Sequence, residues 1–193
     1  MRKLAIFASG NGSNFQALAD SVQKGTLDAE IVLLVCDKKD AFVIQRAKEA
    51  GIPAFSCSPK EYENKAAYEQ AILDQLHIAD AEMIILAGYM RLIGPTLLSA
   101  YRGRIINIHP SLLPAFPGLN AIEQAYEKGV KVTGVTIHYV DEGVDTGPII
   151  AQEALQIEGS EAIETLTARV HRVEHALYPK TIAALLKKSE GVT

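Results

Sequence analysis

A chain of 193 residues, 48% of them hydrophobic, is long enough to bury a substantial core and predicts a single domain over residues 1–193. The formal net charge of −4, without a basic cluster, argues against a large nucleic acid as partner, because phosphate neutralisation needs Lys and Arg. We expect no membrane span and no signal peptide, since no apolar run approaches 18 residues and residues 1–3 lead into a short strand. Cys36 and Cys57 lack C-x-x-C spacing and are expected to be reduced structural thiols of a cytoplasmic protein.

The first segment of interest is glycine-rich. An apolar run at residues 4–8 precedes Ser9-Gly10-Asn11-Gly12-Ser13-Asn14, and apolar residues at helical spacing follow. This order predicts a buried strand, a turn, and a helix capped by Ser13 or Asn14. We interpret the turn as a phosphate cradle, because glycines permit close approach and a helix N-terminus favours an anion. A dinucleotide fingerprint with Asp37 as ribose ligand is one alternative, although Phe15 replaces its third glycine; a purely structural turn is another.

The remaining elements alternate along the chain. Strands are predicted at 31–35, 54–57, 83–87 and 105–109, and helices at 41–50, 60–77, from Pro95, and at 119–128. Strands at 132–140 and from 148 are joined by a loop too short for a helical crossover, so they should be antiparallel. We expect Ser160 to cap the last long helix and Pro179 to break or kink it.

This alternation predicts an α/β fold, a doubly wound Rossmann-like sheet that is parallel in its N-terminal part and antiparallel in its C-terminal strands. Right-handed crossovers would leave loops 9–14, 88–93 and 107–114 at one edge of the sheet. Loop 141–147 is placed to fold over that edge. A ligand site is expected there, since open α/β sheets bind ligands at the carboxyl ends of their strands.

Asn107 and His109 are the candidates for chemistry. They alternate in an apolar strand, so their side chains share a face at its end. An amide donor and an imidazolium can stabilise an oxyanion, and the imidazole can also transfer a proton. A carboxylate would orient the histidine; Asp145 is the candidate, with Asp141 and Glu142 as competitors. The alternative is a hydrogen-bonded strand end and a loop of solvated acids.

Other chemistries have weaker support. A serine hydrolase is disfavoured, because there is no G-x-S-x-G. Residues 171–175 match the zinc pattern H-x-x-E-H, but Glu190 is the only acid downstream of them. His138 is assigned either to a layer behind the site or to a structural role.

Four motifs occur in an order and spacing that resemble the phosphoribosylglycinamide formyltransferase family. They are Ser9–Asn14, Ala87-Gly88-Tyr89-Met90-Arg91, Asn107-Ile108-His109-Pro110-Ser111-Leu112-Leu113-Pro114 and Asp145-Thr146-Gly147-Pro148. The resemblance covers nearly the whole chain. It implies transfer of the formyl group of 10-formyltetrahydrofolate, as co-substrate, to the primary amine of glycinamide ribonucleotide in purine synthesis, without a metal.

The resemblance also implies roles for individual residues. Asn107 and His109 would bracket the formyl oxygen, with His109 as general acid supported by Asp145. The ribonucleotide and its phosphate would be bound by Gly12, Ser13, Asn14, His171, Arg172, Val173 and Glu174. The folate would be bound by Lys65, Met90, Arg91, Leu92, Ile93, Asn107, Asp141, Glu142, Gly143, Val144 and Asp145.

One departure concerns Lys65, which stands where the family often has Arg; Lys keeps the charge but loses the fork geometry.

We assign phosphate binding to about residues 1–100, and folate binding and catalysis to about 101–193. The alternatives are a formyltetrahydrofolate hydrolase, which is expected to need a further N-terminal domain, and a non-catalytic module that binds a phosphorylated metabolite. Expected partners are the two small substrates, with no nucleic acid or membrane. The oligomeric state, a homodimer included, stays open.

Overall fold

Within residues 1–190, which the computed structural model describes, seven strands form one mixed sheet. The strands are β1 (Arg2–Ala8), β2 (Ala29–Cys36), β3 (Ala54–Ser56), β4 (Met83–Leu86), β5 (Ile105–His109), β6 (Val132–Tyr139) and β7 (Ile149–Gln156). Their spatial order is β3-β2-β1-β4-β5-β6-β7. Strands β1 to β5 pair in parallel, whereas β6 is antiparallel to both β5 and β7. The prediction of a doubly wound sheet that becomes antiparallel at its end is therefore confirmed.

Helices cover both faces of this sheet. They are α1 (Ser13–Gln23), α2 (Phe42–Glu49), α3 (Lys65–Ile78), α4 (Pro95–Ala100), α5 (Ala121–Glu127) and α6 (Ile163–Glu190). One apolar core lies between the sheet and α1, α2 and α6, and a second lies between the sheet and α3 and α4. Strand β1 supplies both cores, because Leu4 and Ile6 face the first and Ala5 and Phe7 face the second. This explains why residues 4–8 of β1 are apolar without a break.

Three predicted boundaries were wrong. The helix predicted at 60–77 is a short 3₁₀ helix, Pro59–Glu61, followed by α3, whose N-cap Asn64 accepts from the Ala67 N–H. Ser160 does not cap α6, which begins at Ile163. The predicted break at Pro179 does not occur, since α6 continues to Glu190; the alternative of a kink there stays a prediction. Burial of Leu177, Tyr178 and Ile182 on both sides of the proline stabilises this continuation through tertiary packing.

Tyr178 connects α6 to the strands beneath the predicted site. Its hydroxyl lies 2.9 Å from the Leu86 carbonyl at the end of β4 and 3.1 Å from the Ile106 carbonyl in β5. The side chain is completely buried. Ile106 directly precedes Asn107. This contact therefore fixes the position of α6 relative to Asn107 near the end of β5.

The two cysteines are buried and unpaired, as predicted. Burial raises the pKa of the Cys57 thiol to about 11, which keeps it protonated and unreactive at neutral pH. None of the described helices is both long enough and apolar enough to cross a membrane.

Replacing Tyr178 with Phe should lower the free energy of unfolding by roughly 1 to 2 kcal/mol, because two buried carbonyls lose a donor. Urea unfolding with an unchanged m-value would measure this loss. Tyr126→Phe is the matched control: its hydroxyl donates to the Glu161 carbonyl at the surface, so its loss should cost less than about 0.5 kcal/mol. Equal effects of the two substitutions would contradict the assignment.

Candidate active site

A cavity of about 1040 Å³ lies at the carboxyl ends of the parallel strands. Loops 9–14, 88–93 and 107–110 line it, together with loop 141–145 and residues 118–123. These loops follow β1, β4, β5 and β6, so the sheet topology brings them together as expected. His171 and Glu174 of α6 close one end of the cavity.

The glycine-rich turn begins α1 without a side-chain cap. Gly12 is the N-cap in a left-handed conformation, with φ at 77°, and a Cβ there would lie 2.4 Å from Cγ2 of Val43. Only glycine meets both constraints. The prediction that Ser13 or Asn14 caps the helix was wrong, because both lie within it. Since no side chain caps this terminus, the first amides of α1 remain available to an anion in the cavity.

Glu174 lies beside this helix start. Its Oε2 accepts a hydrogen bond from Asn14 Nδ2 at 3.2 Å, and both side chains are buried. Burial raises the pKa of Glu174 to about 7, an effect that the Asn14 hydrogen bond only partly offsets. His171 also lines the cavity, whereas Arg172 and Val173 do not. The helix therefore presents two of the four residues of its predicted ribonucleotide set.

Strand β5 places Asn107 and His109 on the same side, next to Asp145. His109 Nδ1 lies 3.4 Å from Asp145 Oδ2, and Asn107 Nδ2 donates to Asp145 Oδ1 at 3.4 Å. His109 Nε2 donates to the Phe116 carbonyl at 2.8 Å. Because both ring nitrogens of His109 face acceptors, the imidazolium can donate to each of them. The structure brings these three residues together, whereas Glu142 is largely exposed and Asp141 accepts from the Thr146 hydroxyl of its own loop.

Asp145 is held in place by its own backbone and by another loop. It has a positive φ of 55°, and its Oδ2 accepts from the Gly118 N–H at 2.7 Å. Burial alone would raise the pKa of Asp145, but contact with His138, the Gly118 hydrogen bond and the charge of His109 outweigh it. The pKa is therefore held below its ordinary value. The carboxylate stays ionised at neutral pH and can stabilise a positive charge on His109.

His138 is part of the same cluster. It lies opposite Asn107 in the antiparallel pairing of β5 and β6. Its Nδ1 donates to the Tyr139 carbonyl at 2.8 Å, and its Nε2 lies 3.3 Å from Asn107 Nδ2 and 3.6 Å from Asp145 Oδ1. Nε2 of His138 therefore lies between the amide of Asn107 and the carboxylate of Asp145, while Nδ1 fixes the orientation of the ring. Sequence patterns left its role open, because only the strand register places it here.

The segment 88–94 forms the opposite wall and is fastened at several points. Ser9 donates its N–H to the Gly88 carbonyl and accepts from the Met90 N–H at its hydroxyl. The hydroxyls of Tyr89 and Tyr68 lie 2.7 Å apart. Glu69 of α3, which is buried, accepts from the Gly94 N–H and so holds the start of α4. Hydrogen bonds therefore attach this wall to β1 and α3.

All the residues predicted to bind folate line the cavity. They are Lys65, Met90, Arg91, Leu92, Ile93, Asn107, Asp141, Glu142, Gly143, Val144 and Asp145. Met90, Leu92 and Val144 are large apolar side chains that are exposed at this cavity. Exposed apolar groups on a concave surface are typical of a binding site for a flat, largely apolar ligand.

Sequence reasoning missed several contributors. The Phe116 carbonyl and the Gly118 N–H act through the backbone, and no pattern of side chains could have indicated them. Asp37 had been considered only as a ribose ligand; instead it pairs with Arg91. Glu69 had no assigned role, although an acid on the buried side of a helix was a signal that it has a buried partner.

The zinc pattern does not form a metal centre among the described side chains. The rings of His171 and His175 stack with centroids 6.3 Å apart, and Glu174 is engaged by Asn14. In the described part of the chain, no group of three or more His, Cys, Asp or Glu side chains is arranged so that it could hold a metal ion. The side chain of Glu190, the one downstream acid, lies outside the described residues.

Comparison with known proteins identifies the family of the chain. The sequence model of the formyl transferase family matches residues 2–182, and the chain belongs to this family. It is 59% identical to phosphoribosylglycinamide formyltransferase of Bacillus subtilis (strain 168) over 186 residues, 96% of this chain and 95% of that protein.

Two solved structures are also close. The phosphoribosylglycinamide formyltransferase of Bacillus halodurans superposes with a TM-score of 0.96 at 56% identity, over 99% of this chain and 98% of that one. Glycinamide ribonucleotide transformylase 1 of Geobacillus kaustophilus gives a TM-score of 0.95 at 59% identity, over 96% and 99% of the two chains.

The buried acid Glu174 should make stability depend on pH. Its pKa rises from 4.5 to about 7 on folding, so the native state binds more protons between these values and stability falls as pH rises. Relative to Glu174→Gln, the wild type should lose roughly 2 to 3 kcal/mol of unfolding free energy between pH 5 and pH 8. Denaturant titration at both pH values measures the difference.

Glu164→Gln, which replaces an exposed acid of the same helix, is the control and should follow the wild-type pH curve. If the unfolding free energy of Glu174→Gln changes with pH in parallel with that of the wild type, Glu174 does not become protonated on folding.

Proposed function

We propose that this protein is a phosphoribosylglycinamide formyltransferase, which transfers the formyl group of 10-formyltetrahydrofolate to the primary amine of glycinamide ribonucleotide in cytoplasmic purine synthesis. The observation that carries the proposal is the cluster of Asn107, His109 and Asp145 in the same cavity as the uncapped start of α1. Membership in the formyl transferase family and the names of the closely similar relatives support it.

The ribonucleotide would bind at the α1 end of the cavity. The amides of Gly12, Ser13 and Asn14 would hold the phosphate, since they meet an anion at a helix N-terminus. Glu174 would bind the sugar or glycinamide portion. Its pKa of about 7 lies close to neutral pH, so the carboxyl can donate as well as accept hydrogen bonds. His171 lines the same end. Arg172 and Val173 are left out of this binding set, since they do not face the cavity.

The folate would lie between the 88–94 and 141–145 walls. Met90, Leu92 and Val144 would cover its flat ring with apolar surface. Lys65 and Arg91 supply positive charge at the same wall, which suits the acidic end of a folate. No metal takes part in this proposal.

The cluster would act on the formyl group as follows. The substrate amine attacks the formyl carbon, a C–N bond forms, and the carbonyl electrons move to oxygen. Asn107 Nδ2 and His109 donate hydrogen bonds to this oxyanion. The Phe116 carbonyl oxygen, which accepts from His109 Nε2, lies in the direction in which this nitrogen donates. Asp145 takes the proton lost by the amine. His109 donates a proton to the folate nitrogen as the old C–N bond breaks, and Asp145 returns its proton to His109 across their 3.4 Å contact.

His109→Ala should lower the rate by on the order of 10²–10⁴-fold, because it removes both an oxyanion donor and the general acid. The measurement is absorbance of the folate product with both substrates present, repeated without the ribonucleotide. His77→Ala, an exposed histidine of α3, is the control and should keep full activity. Product formed without the ribonucleotide would indicate a hydrolase instead, and ribonucleotide binding without any product would indicate a binding module.

Asp145→Asn should also lower the rate and change its pH profile, because an amide cannot accept the proton or stabilise the imidazolium. Its amide oxygen can still accept from the Gly118 N–H, so the loop should stay in place. A profile of kcat against pH for the wild type and variant measures the effect. An unchanged profile would remove Asp145 from the mechanism.

A further inference from the structure

Asp37 is a buried carboxylate that the proposed mechanism does not use. It directly follows β2, its side chain is 0% exposed, and it does not line the cavity. Its Oδ2 accepts from Arg91 Nε at 2.7 Å. Its Oδ1 is buried and has no hydrogen-bond partner in the described part of the protein. A charged group with one unsatisfied oxygen is costly to bury, so stability alone is a poor reason for its presence.

The pairing of Asp37 with Arg91 leaves most of the guanidinium free. Arg91 follows β4 and reaches across the end of β1 to Asp37 after β2. Because the bond uses Nε, both terminal amino groups of Arg91 remain available with respect to the described residues, and its side chain is 48% exposed and lines the cavity. A guanidinium presents these two groups in a plane that matches the two oxygens of a carboxylate.

The backbone on either side of Arg91 is also held. Met90 donates its N–H to Ser9 Oγ at 2.8 Å, and Gly94 donates its N–H to the buried Glu69. These bonds hold the backbone before and after Arg91, and Asp37 restrains its side chain. Lys65 lies over the same segment, since a Cβ on Gly94 would be 2.7 Å from its Cε. Its Nζ lies 4.0 Å from Glu69, so a buried acid stands behind this cation too.

We propose that Asp37 is a positioning residue for co-substrate binding: by holding Nε of Arg91 it aims both terminal amino groups into the cavity, where they bind a carboxylate at the acidic end of the folate. The inference rests on the proposed function and adds to it the residue that orients this contact. Because Asp37 restrains the Arg91 side chain before the ligand binds, less conformational entropy of this side chain is lost on binding. Lys65 supplies a second charge at the same wall without needing fixed geometry.

The test compares two ligands and several variants. The ligands are tetrahydrofolate and the same molecule cut back to the neutral benzamide, which lacks the glutamate carboxylates. Asp37→Ala should weaken tetrahydrofolate binding by about tenfold and leave binding of the benzamide unchanged, so that the preference of the wild type for the acidic tail falls by the same factor. Calorimetric or fluorescence titration measures both affinities. Asp40→Asn removes the same charge from an exposed neighbour and should change neither.

Kinetics give a second readout. The KM of Asp37→Ala for 10-formyltetrahydrofolate should rise by about tenfold, while kcat and the KM for the ribonucleotide stay within about twofold of the wild type. Asp37→Asn keeps an acceptor for Nε but loses the charge, so it should show a smaller loss in the same direction. If thermal unfolding shows that Asp37→Ala does not fold, the test is made with Asp37→Asn instead.

Several outcomes would overturn the inference. Equal weakening of both ligands by Asp37→Ala would mean that the wall has merely loosened, and no weakening of either would mean that Arg91 needs no support. A wild type that binds the two ligands equally well does not recognise the carboxylate at all. Selective loss of tail binding in a protein without transferase activity would instead support the role of Asp37 while rejecting the proposed function.

Discussion

The carboxylate of Asp145 connects two neighbouring strands and the loop that follows the first of them. It meets His109 and Asn107 from β5, His138 from β6, and the Gly118 N–H from the loop after β5. Burial would favour its neutral form, yet these donors and charges keep it ionised. If that balance were reversed, the carboxylate could no longer hold the imidazole, and the loop containing Gly118 would lose its attachment.

The same cavity contains a second carboxyl with the opposite behaviour. Glu174 has one weak donor, Asn14, and little solvent, so burial dominates and raises its pKa. Asp145 and Glu174 thus differ through their surroundings rather than their chemistry, as is common where one site needs both an ionised and a neutral acid. The cavity therefore has an ionised carboxylate at its centre and a carboxyl of raised pKa beside the start of α1.

Buried acids also stiffen the wall that faces this centre. Glu69 binds the backbone at the start of α4, and Asp37 binds the side chain of Arg91. Together with Ser9, which bonds the neighbouring backbone, they fix a segment that has no regular secondary structure of its own. A loop can present a rigid surface in this way when its polar groups are satisfied by elements on both sides.

The sequence by itself determined the α/β class, the antiparallel end of the sheet, and the edge where the polar residues gather, because strand alternation and short loops are local properties. It indicated Asn107 and His109 through their two-residue spacing, and the motifs indicated the family. Only the tertiary structure selected Asp145 over Asp141 and Glu142, since all three are acids of one loop and their distances to His109 depend on how that loop folds. Packing likewise carried α6 through Pro179 and placed Gly12 rather than Ser13 at the cap of α1. The partners of Asp37, Glu69 and His138 could not be predicted from the sequence either. Strand order and register, not local sequence, bring those partners to them.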